Sequence, residues 1–391
     1  MKKQSKKTKG LPPPYKEYKT AFNFSPKHNS CVRPIIAFNT IGAGINSVTP
    51  GELFWQYAKV GFLYPNKKRK LTPYIELVEE NWRKALKLGE EIFWIASVID
   101  RESKSWASIC NWRTTLTGWV SQHLVSSGNV AYPLLLMLGT QIKVMREADV
   151  KPYGSFQNWF RPTNKYANKV FGFLAKSISK ESTELEMFQY FMLDRKAISN
   201  PSDAKVSILK CTNKNSNGIE DYFKSKKSDQ YLSAEELIGG DLELHALNEI
   251  YKKVGLERRR SLWLAEGAKG EPLGAIITYH APIGLNFSML ENRCEIILNN
   301  NLSAALAATV CVALLNTVQA DYDAFPATFI PLVSNASTAQ ILTSVGVNAI
   351  RSYNQFIWLK DGYQDWYNAL WDIGEHSINR WLRTHKIKDE D

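Results

Sequence analysis

The sequence predicts an α/β (α+β) protein made of two related halves, and three observations carry this prediction. Residues 325–360 give a strand, a helix and a second strand in succession, and residues 155–193 repeat that pattern earlier in the chain. Both halves contain a predicted hairpin. The order of elements is also the same in the two halves, so each is expected to form a mixed, mostly antiparallel, twisted sheet flanked by helices.

The elements of the first half follow from periodicity and from capping residues. Helices are expected at 50–61 and 73–88, with Thr72 as N-cap of the second and a basic turn between them at 63–70. The remaining predictions are a strand within 34–45, strands at 92–100, 105–114 and 118–125, a turn at 126–129, a helix at 132–145, and the strand–helix–strand unit at 155–193.

The second half is predicted in the same way. Its strands are expected at 205–211, 261–266, 274–280, 293–298, 328–333 and 354–359, with a helical stretch interrupted at Gly239 and Gly240. In the last unit, Ser334 or Asn335 can cap a helix that Gly346 ends. Residues 302–318 are apolar, but they are fewer than the ~20 residues that a bilayer needs. They are expected to form a helix buried on all sides, with no membrane span.

The net charge of +11 is concentrated at the start of the chain. Residues 1–70 hold 14 Lys and Arg against 2 Asp and Glu, so the remainder carries a net charge of −1. Residues 1–33 are expected to be a basic disordered arm, either a solubilising tail or a segment that contacts nucleic acid or an acidic surface weakly. The arm has no apolar segment of the kind found in signal peptides. The body is close to neutral.

The five cysteines are far apart and form no C-x-x-C pair, so neither a zinc site nor a disulfide framework is indicated. No metal is expected, and a reducing cytoplasmic location is the simplest setting. Walker, Rossmann, zincin and G-x-S-x-G patterns are absent from the sequence. Asp241, Glu243 and His245 alternate at a predicted helix start, where a solvated helix end explains them.

The element order, together with the helix sequence at 335–347 (NASTAQILTSVGV), resembles the GCN5-related N-acetyltransferase (GNAT) superfamily. The resemblance covers residues 205–365 and, more loosely, 50–193, so the whole chain resembles a tandem GNAT protein. The predicted organisation is the arm at 1–33, GNAT-like domains at 34–196 and 204–368, a linker at 197–203, and a helical tail at 369–391.

The resemblance implies that acetyl-CoA or another acyl-CoA is the co-substrate, bound where the central strand meets the apolar helix. There, free backbone N–H groups and the helix dipole favour a pyrophosphate. The family's loop is rich in glycine, whereas this chain has one glycine in the first half and none at 299–305. We therefore expect the first half to bind the cofactor through Ser126, Ser127, Gly128 and Asn129. An ordinary helix-capping turn would contain the same residue types.

Acyl transfer also needs a base for the nucleophile and an acid for the leaving thiolate. His123 and Gln122, on the strand before the loop, are the candidate catalytic residues of the first half. In many GNAT members a Tyr on the late helix donates the proton to the thiolate. The positions of this chain that align with that Tyr are Phe171 in the first half and Thr343 in the second. Tyr166 is expected on another helical face. In the second half Glu291, Glu295 and His280 are expected to be structural or rim residues.

The leading functional hypothesis is acyl transfer from acyl-CoA to an unknown amine or protein acceptor. A catalytically degenerate GNAT-like binding or regulatory protein is the alternative, because the catalytic acid and most loop glycines are missing. Aminoacyl transfer from tRNA is a third possibility, which the nearly neutral body disfavours.

Overall fold

The computed structural model describes residues 41–46, 48–63, 65–100, 104–129, 131–194 and 206–384. The predicted arm at 1–33 and linker at 197–203 lie outside these residues. Twelve strands form one sheet in the described chain: β1 Ile41–Ile45, β2 Phe93–Asp100, β3 Ser105–Arg113, β4 Gly118–Ser127, β5 Ser155–Phe160, β6 Thr183–Asp194, β7 Ser207–Cys211, β8 Arg259–Glu266, β9 Pro272–His280, β10 Cys294–Leu298, β11 Phe329–Ser334 and β12 Arg351–Leu359.

Eleven α-helices of the described chain flank this sheet: α1 Pro50–Lys59, α2 Pro65–Leu71, α3 Ile75–Leu88, α4 Ala131–Glu147, α5 Lys165–Ser177, α6 Asn217–Lys224, α7 Asp229–Ala234, α8 His245–Lys252, α9 Ala304–Asp321, α10 Ala336–Ser344 and α11 Tyr363–Thr384. Asn164 and Asn335 occupy the same place in the two strand–helix–strand units. Each side chain accepts a hydrogen bond from the first turn of its helix, α5 or α10.

The strand order is β1-β2-β3-β4-β5-β12-β6-β11-β10-β9-β8-β7. Only β4–β5 and β10–β11 pair in parallel within this sheet; its other neighbours are antiparallel. The predicted fold class, α/β with a mixed and mostly antiparallel sheet flanked by helices, is therefore confirmed, but the two halves share one sheet and do not each form their own. The last strand of each half lies among the strands of the other: β12 is between β5 and β6, and β6 is between β12 and β11.

Apolar side chains cover both faces of the sheet. On one face, α1, α3 and α9 pack over a core that includes Phe54, Trp82 and Leu314. On the other face, α4, α5 and α11 cover the first half around Trp94 and Phe156, and α6 and α7 cover the second half. The exchanged strands contribute to these cores, so the packing is continuous along the sheet.

Helix α9 corrects one prediction. It was expected to be buried on all sides, but only the face with Ala307, Val310, Cys311, Leu314, Leu315 and Val318 is buried, against β8, β9 and β10. The other face stays at least partly exposed although it is also apolar. By length and composition, α9 is the single helix of the described chain that could cross a membrane. One third of its 18 residues are buried in the protein.

Three smaller predictions were also wrong. The residues expected to form a basic turn include helix α2, Pro65–Leu71. Thr72 does not cap the next helix: its hydroxyl donates to Lys68 O at 2.8 Å, and a 3₁₀ turn at Thr72–Tyr74 leads into α3. Strand β4 also runs to Ser127, so the expected turn is shorter than predicted.

Candidate functional site

The parallel strands β4 and β5 separate soon after they begin. Their register pairs Gly118 with Ser155, Trp119 with Phe156 and Val120 with Gln157, and no later residue of β4 pairs with β5 among those described. Beyond Val120 and Gln157, side-chain amides form the hydrogen bonds between β4 and β5 in place of the backbone. Gln122 Nε2 donates to Trp159 O at 3.0 Å, and Asn158 Nδ2 donates to Ser121 O at 2.5 Å. The diverging strands therefore form a cleft.

A cavity of about 420 Å³ occupies this cleft. Its walls come from β4, β5, the start of α5, and the connection between β9 and β10. Gln122 and His123 line the cavity on the β4 side, and Asn158 and Arg161 line it from β5 and beyond. The structure thus brings both predicted catalytic residues to the same cavity, which has the size of a small-molecule site.

His123 lies at an irregularity in β4. The β3–β4 register shifts between Ser108 and Cys110, opposite His123, whose φ is +57°. Such bulges re-aim a side chain within a sheet. The imidazole stacks on Phe287 with ring centroids 4.3 Å apart, and on Trp82 at 5.8 Å.

The surroundings of His123 keep its ring neutral. Burial, together with the positive charge of Lys67, lowers the pKa of the imidazole well below its usual 6.5. Nδ1 is buried and has no hydrogen-bond partner in the described part of the chain. A neutral imidazole can accept a proton or a hydrogen bond at its unprotonated ring nitrogen.

The cavity carries positive charge. Lys67 of α2 and Arg161 line it, and no Asp or Glu is found among its described lining residues. Burial and the nearby Arg351 lower the pKa of Lys67 to about 8. The Lys67 ammonium lies 4.1 Å from the Phe62 ring centroid, a cation–π contact that fixes it beside the aromatic wall.

Hydroxyl groups stand on two sides of the cavity. Tyr166 and Phe171 both line it from α5, although Tyr166 is on the exposed face of the helix, as expected, and Phe171 is on the buried face. Tyr166 is 44% exposed, and the partial desolvation of its hydroxyl raises its pKa, so this hydroxyl is protonated at neutral pH. Tyr353 of β12 lines the opposite side, and its hydroxyl donates to Ser288 Oγ at 2.9 Å.

The predicted phosphate loop makes other contacts. The Asn129 N–H donates to Ser105 Oγ at 3.2 Å, and Asn129 Oδ1 accepts from Ala131 N at 2.9 Å. Gly128 has a φ of +87°, and a Cβ there would lie 2.1 Å from Ser105 Oγ. Ser126 and Ser127 end strand β4. A role for these residues in binding phosphate stays a prediction.

Ser127 lines a separate cavity of about 440 Å³, between α1 and strands β2 and β3. Trp55, Gln56 and Trp106 also line it. The structure therefore does not join the four predicted cofactor residues to the cavity that holds Gln122 and His123.

In the second half, the corresponding parallel strands are β10 and β11, and buried ion pairs lie beside them. Strand β10 pairs with β11 through Cys294 and Glu295. Glu295 is fully buried, 2.7 Å from Lys227 Nζ, and accepts a hydrogen bond from the Tyr231 hydroxyl at 2.5 Å. Glu291 is buried beside Arg258 at 2.8 Å. Both glutamates are structural, as expected.

Sequence reasoning missed several residues of the site. Phe287 and Tyr353 are far from His123 in the chain, and no local pattern marks them. Lys67 belongs to the basic run at 67–70, a visible signal that by itself predicts only a basic turn. Among the described residues, no group of three or more His, Cys, Asp or Glu could hold a metal ion.

Comparisons with known proteins give structural likenesses only. Neither a protein-family model nor a curated protein matches the sequence at a significant level. The solved structures that it resembles include GNAT-fold proteins. A GCN5-related glucosamine N-acetyltransferase region of a fungal multi-domain β-N-acetylglucosaminidase has a TM-score of 0.43 and 10% identity, covering 83% of this chain and 38% of that one.

Saccharomyces cerevisiae N-myristoyltransferase has a TM-score of 0.37 and 11% identity over 84% of this chain and 82% of that one. An Enterococcus faecalis protein described as a probable N-acyltransferase has a TM-score of 0.35 and 8% identity over 83% and 74% of the two chains. Likenesses of this size carry no argument about the chemistry of the chain.

Proposed function

We propose that this chain is an acyltransferase that holds an acyl-CoA in the cleft between β4 and β5 and transfers the acyl group to an amine. The divergence of the two parallel strands around a 420 Å³ cavity that contains His123 is the observation that carries the proposal. The sequence resemblance to GNAT proteins supplies the reaction class.

The cleft suits the pantetheine arm of CoA. This arm is an extended chain with amide groups. Where β4 and β5 no longer pair, their backbone donors and acceptors are available, and the arm can form hydrogen bonds with them as an added strand would. Phe160 and Phe171 offer apolar surface to its methylene groups. Arg161, beyond the carboxyl end of β5, can attract the CoA phosphates.

The transfer forms a C–N bond and breaks the C–S bond of the thioester. The attacking amine loses a proton, and the departing thiolate gains one. In the proposed mechanism His123 accepts the amine proton, because its imidazole is neutral and lines the cavity. The protonated Tyr166 hydroxyl is the candidate donor to the thiolate.

A binding protein without catalysis is the second candidate. The lowered pKa makes His123 a weak base, and none of the described residues that line the cavity is a carboxylate that could replace it. In that case the cleft would bind an acyl-CoA without turnover. The basic arm would then serve to attach the protein to an acidic partner.

Thiol release separates these two functions. The full chain is mixed with acetyl-CoA and a panel of amines, and free CoA thiol is measured. Acyl transfer predicts amine-dependent release that falls at least ~100-fold in His123→Gln, the scale expected for loss of a general base. Acetyl-CoA binding without amine-dependent release would favour the binding function.

A further inference from the structure

The cavity continues past Phe287 toward the second half of the sheet. A smaller cavity of about 30 Å³ shares Lys67, Phe287, Ser288 and Tyr353 with the first one. Phe287 stacks on His123, and Lys67 lies 5.9 Å from the Phe287 ring centroid. The two cavities therefore share part of their walls, and we call the smaller one the acceptor groove beyond His123.

Three cations line the far end of this groove. Lys67 and Lys70 are close to one turn apart on α2, and Arg351 begins β12. Burial and the charge of Arg351 lower the pKa of both lysines, which shows that the three groups lie within each other's field. The described residues that line both cavities include no Asp or Glu.

Hydrogen-bonding groups accompany these charges. Ser288 Oγ accepts from the Tyr353 hydroxyl at 2.9 Å, which leaves the serine proton able to point into the groove. The Tyr190 hydroxyl donates to Ser288 O at 3.0 Å and holds this segment in place. Positive charge and hydroxyl donors in a partly buried groove are the chemistry that binds a phosphate or a carboxylate.

We propose that Lys67, Lys70 and Arg351 bind an anionic group, a phosphate or a carboxylate, on the acyl acceptor. The proposal rests on the proposed acyl transfer, whose substrate class it narrows to acceptors that carry an amine and an anion. The field of three cations attracts such a molecule and orients its amine toward His123.

The position of the cations favours the acceptor over the co-substrate. The proposed pantetheine path and Arg161 lie on the β4–β5 side of His123, whereas Lys70 and Arg351 lie beyond Phe287 on the opposite side. Two ligands that approach His123 from opposite ends can meet at its ring.

Titration of the full chain with inorganic phosphate tests the subsite. Lys70→Gln and Arg351→Gln are each expected to weaken phosphate binding at least 5-fold. Lys87→Gln, which removes one exposed charge from α3 outside the groove, is the matched control and should change it less than 2-fold. Circular dichroism checks that each variant is folded. No saturable phosphate binding, or equal binding in all variants, would overturn the proposal.

Acetate serves as the second probe. Acetate binding that the same two variants weaken would identify the carboxylate as the recognised group, whereas phosphate binding alone would identify a phosphate. Either result supports the anion subsite.

A third titration tests whether the anion subsite binds the acceptor or the acyl-CoA. Phosphate is added to protein saturated with acetyl-CoA, and its affinity is expected to stay within 2-fold of that of the free protein. Displacement of phosphate by acetyl-CoA would assign the cations to the co-substrate and overturn the acceptor proposal. Acetyl-CoA binding without phosphate binding contradicts the subsite alone. Phosphate binding without acetyl-CoA binding contradicts the proposed function.

Discussion

Gly128 shows how a residue chosen as a ligand contact can have a packing role. Its φ is +87°, and an added Cβ would lie 2.1 Å from Ser105 Oγ. We expect Gly128→Ala to lower the free energy of unfolding by about 2–4 kcal/mol, because backbone strain and a steric clash act together. Urea denaturation measures the change.

Gly270→Ala is the control for this prediction. Gly270 has a φ of +76°, but a Cβ there would meet no atom within 4 Å. Its substitution should therefore cost only the strain of the backbone, on the order of 1 kcal/mol. Equal losses in the two variants would show that the Ser105 contact contributes nothing.

His123 should make stability depend on pH. Because its pKa in the folded protein is below the unfolded value of 6.5, the unfolded chain binds the extra proton as pH falls through 6.5. The wild type should then lose stability toward acid relative to His123→Gln, by up to about 1.4 kcal/mol per pH unit.

Urea denaturation of both proteins between pH 8 and 5 measures this difference. His280, whose pKa burial also lowers, remains in both proteins and cancels in the comparison. Parallel stability curves for the two proteins would contradict a neutral, buried His123.

At the scale of elements, helix α7 is joined to the sheet by buried charge. Glu235 lies 3.0 Å from Arg293 Nη2 and accepts a hydrogen bond from Gln157 Nε2 at 3.1 Å. Burial alone would raise the Glu235 pKa, but Arg293 and its neighbours outweigh burial and lower it. The carboxylate is therefore charged at neutral pH.

Glu235→Gln should lower the free energy of unfolding by about 3–5 kcal/mol, because Arg293 would remain buried without its counter-charge. Glu249→Gln removes a carboxylate from an exposed pair with Lys252 and should change stability by less than about 1 kcal/mol. Thermal denaturation compares the two. Similar melting temperatures would show that the Glu235 pair is dispensable.

Helix α9 gives a test of one-sided burial. Leu314 is fully buried and Ala305 is exposed. Leu314→Ala should cost about 2–5 kcal/mol, whereas Ala305→Lys should leave the free energy of unfolding nearly unchanged. A large loss from Ala305→Lys would mean that something covers the outer face of α9 in solution.

The sequence predicted strands and long helices well because their patterns are local. The β2–β3 hairpin, strand β10 and the Asn335 cap could all be inferred from spacing and capping chemistry. Helix α2 could not be inferred in this way, because four consecutive basic residues show no apolar periodicity. Its position depends on packing against residues that are distant in the chain. The sequence predicts too much burial for α9, because its residues are apolar on every face although only one face packs against the sheet.

At the scale of the whole molecule, the exchange of β6 and β12 ties the two halves together. Strand β12 has both of its neighbours, β5 and β6, in the first half. Neither half can complete its sheet alone, and pairings between distant residues join them. The position of the acceptor groove follows from this exchange, since β12 supplies Arg351 and Tyr353; no local sequence pattern could reveal that.

We therefore expect the chain to unfold in a single cooperative transition. Intrinsic tryptophan fluorescence and far-ultraviolet circular dichroism should give the same midpoint in urea. Two separate transitions would show that the predicted domains at 34–196 and 204–368 are independent folding units.

Calorimetric titration with acetyl-CoA tests the central claim most directly. The wild type should bind acetyl-CoA saturably. Thr163→Trp, which fills the mouth of the cleft from an exposed position, should weaken binding at least 10-fold, while Lys169→Trp on the exposed face of α5 should not. Absence of binding to the wild type, or equal binding by the wild type and Thr163→Trp, would contradict an acyl-CoA site between β4 and β5.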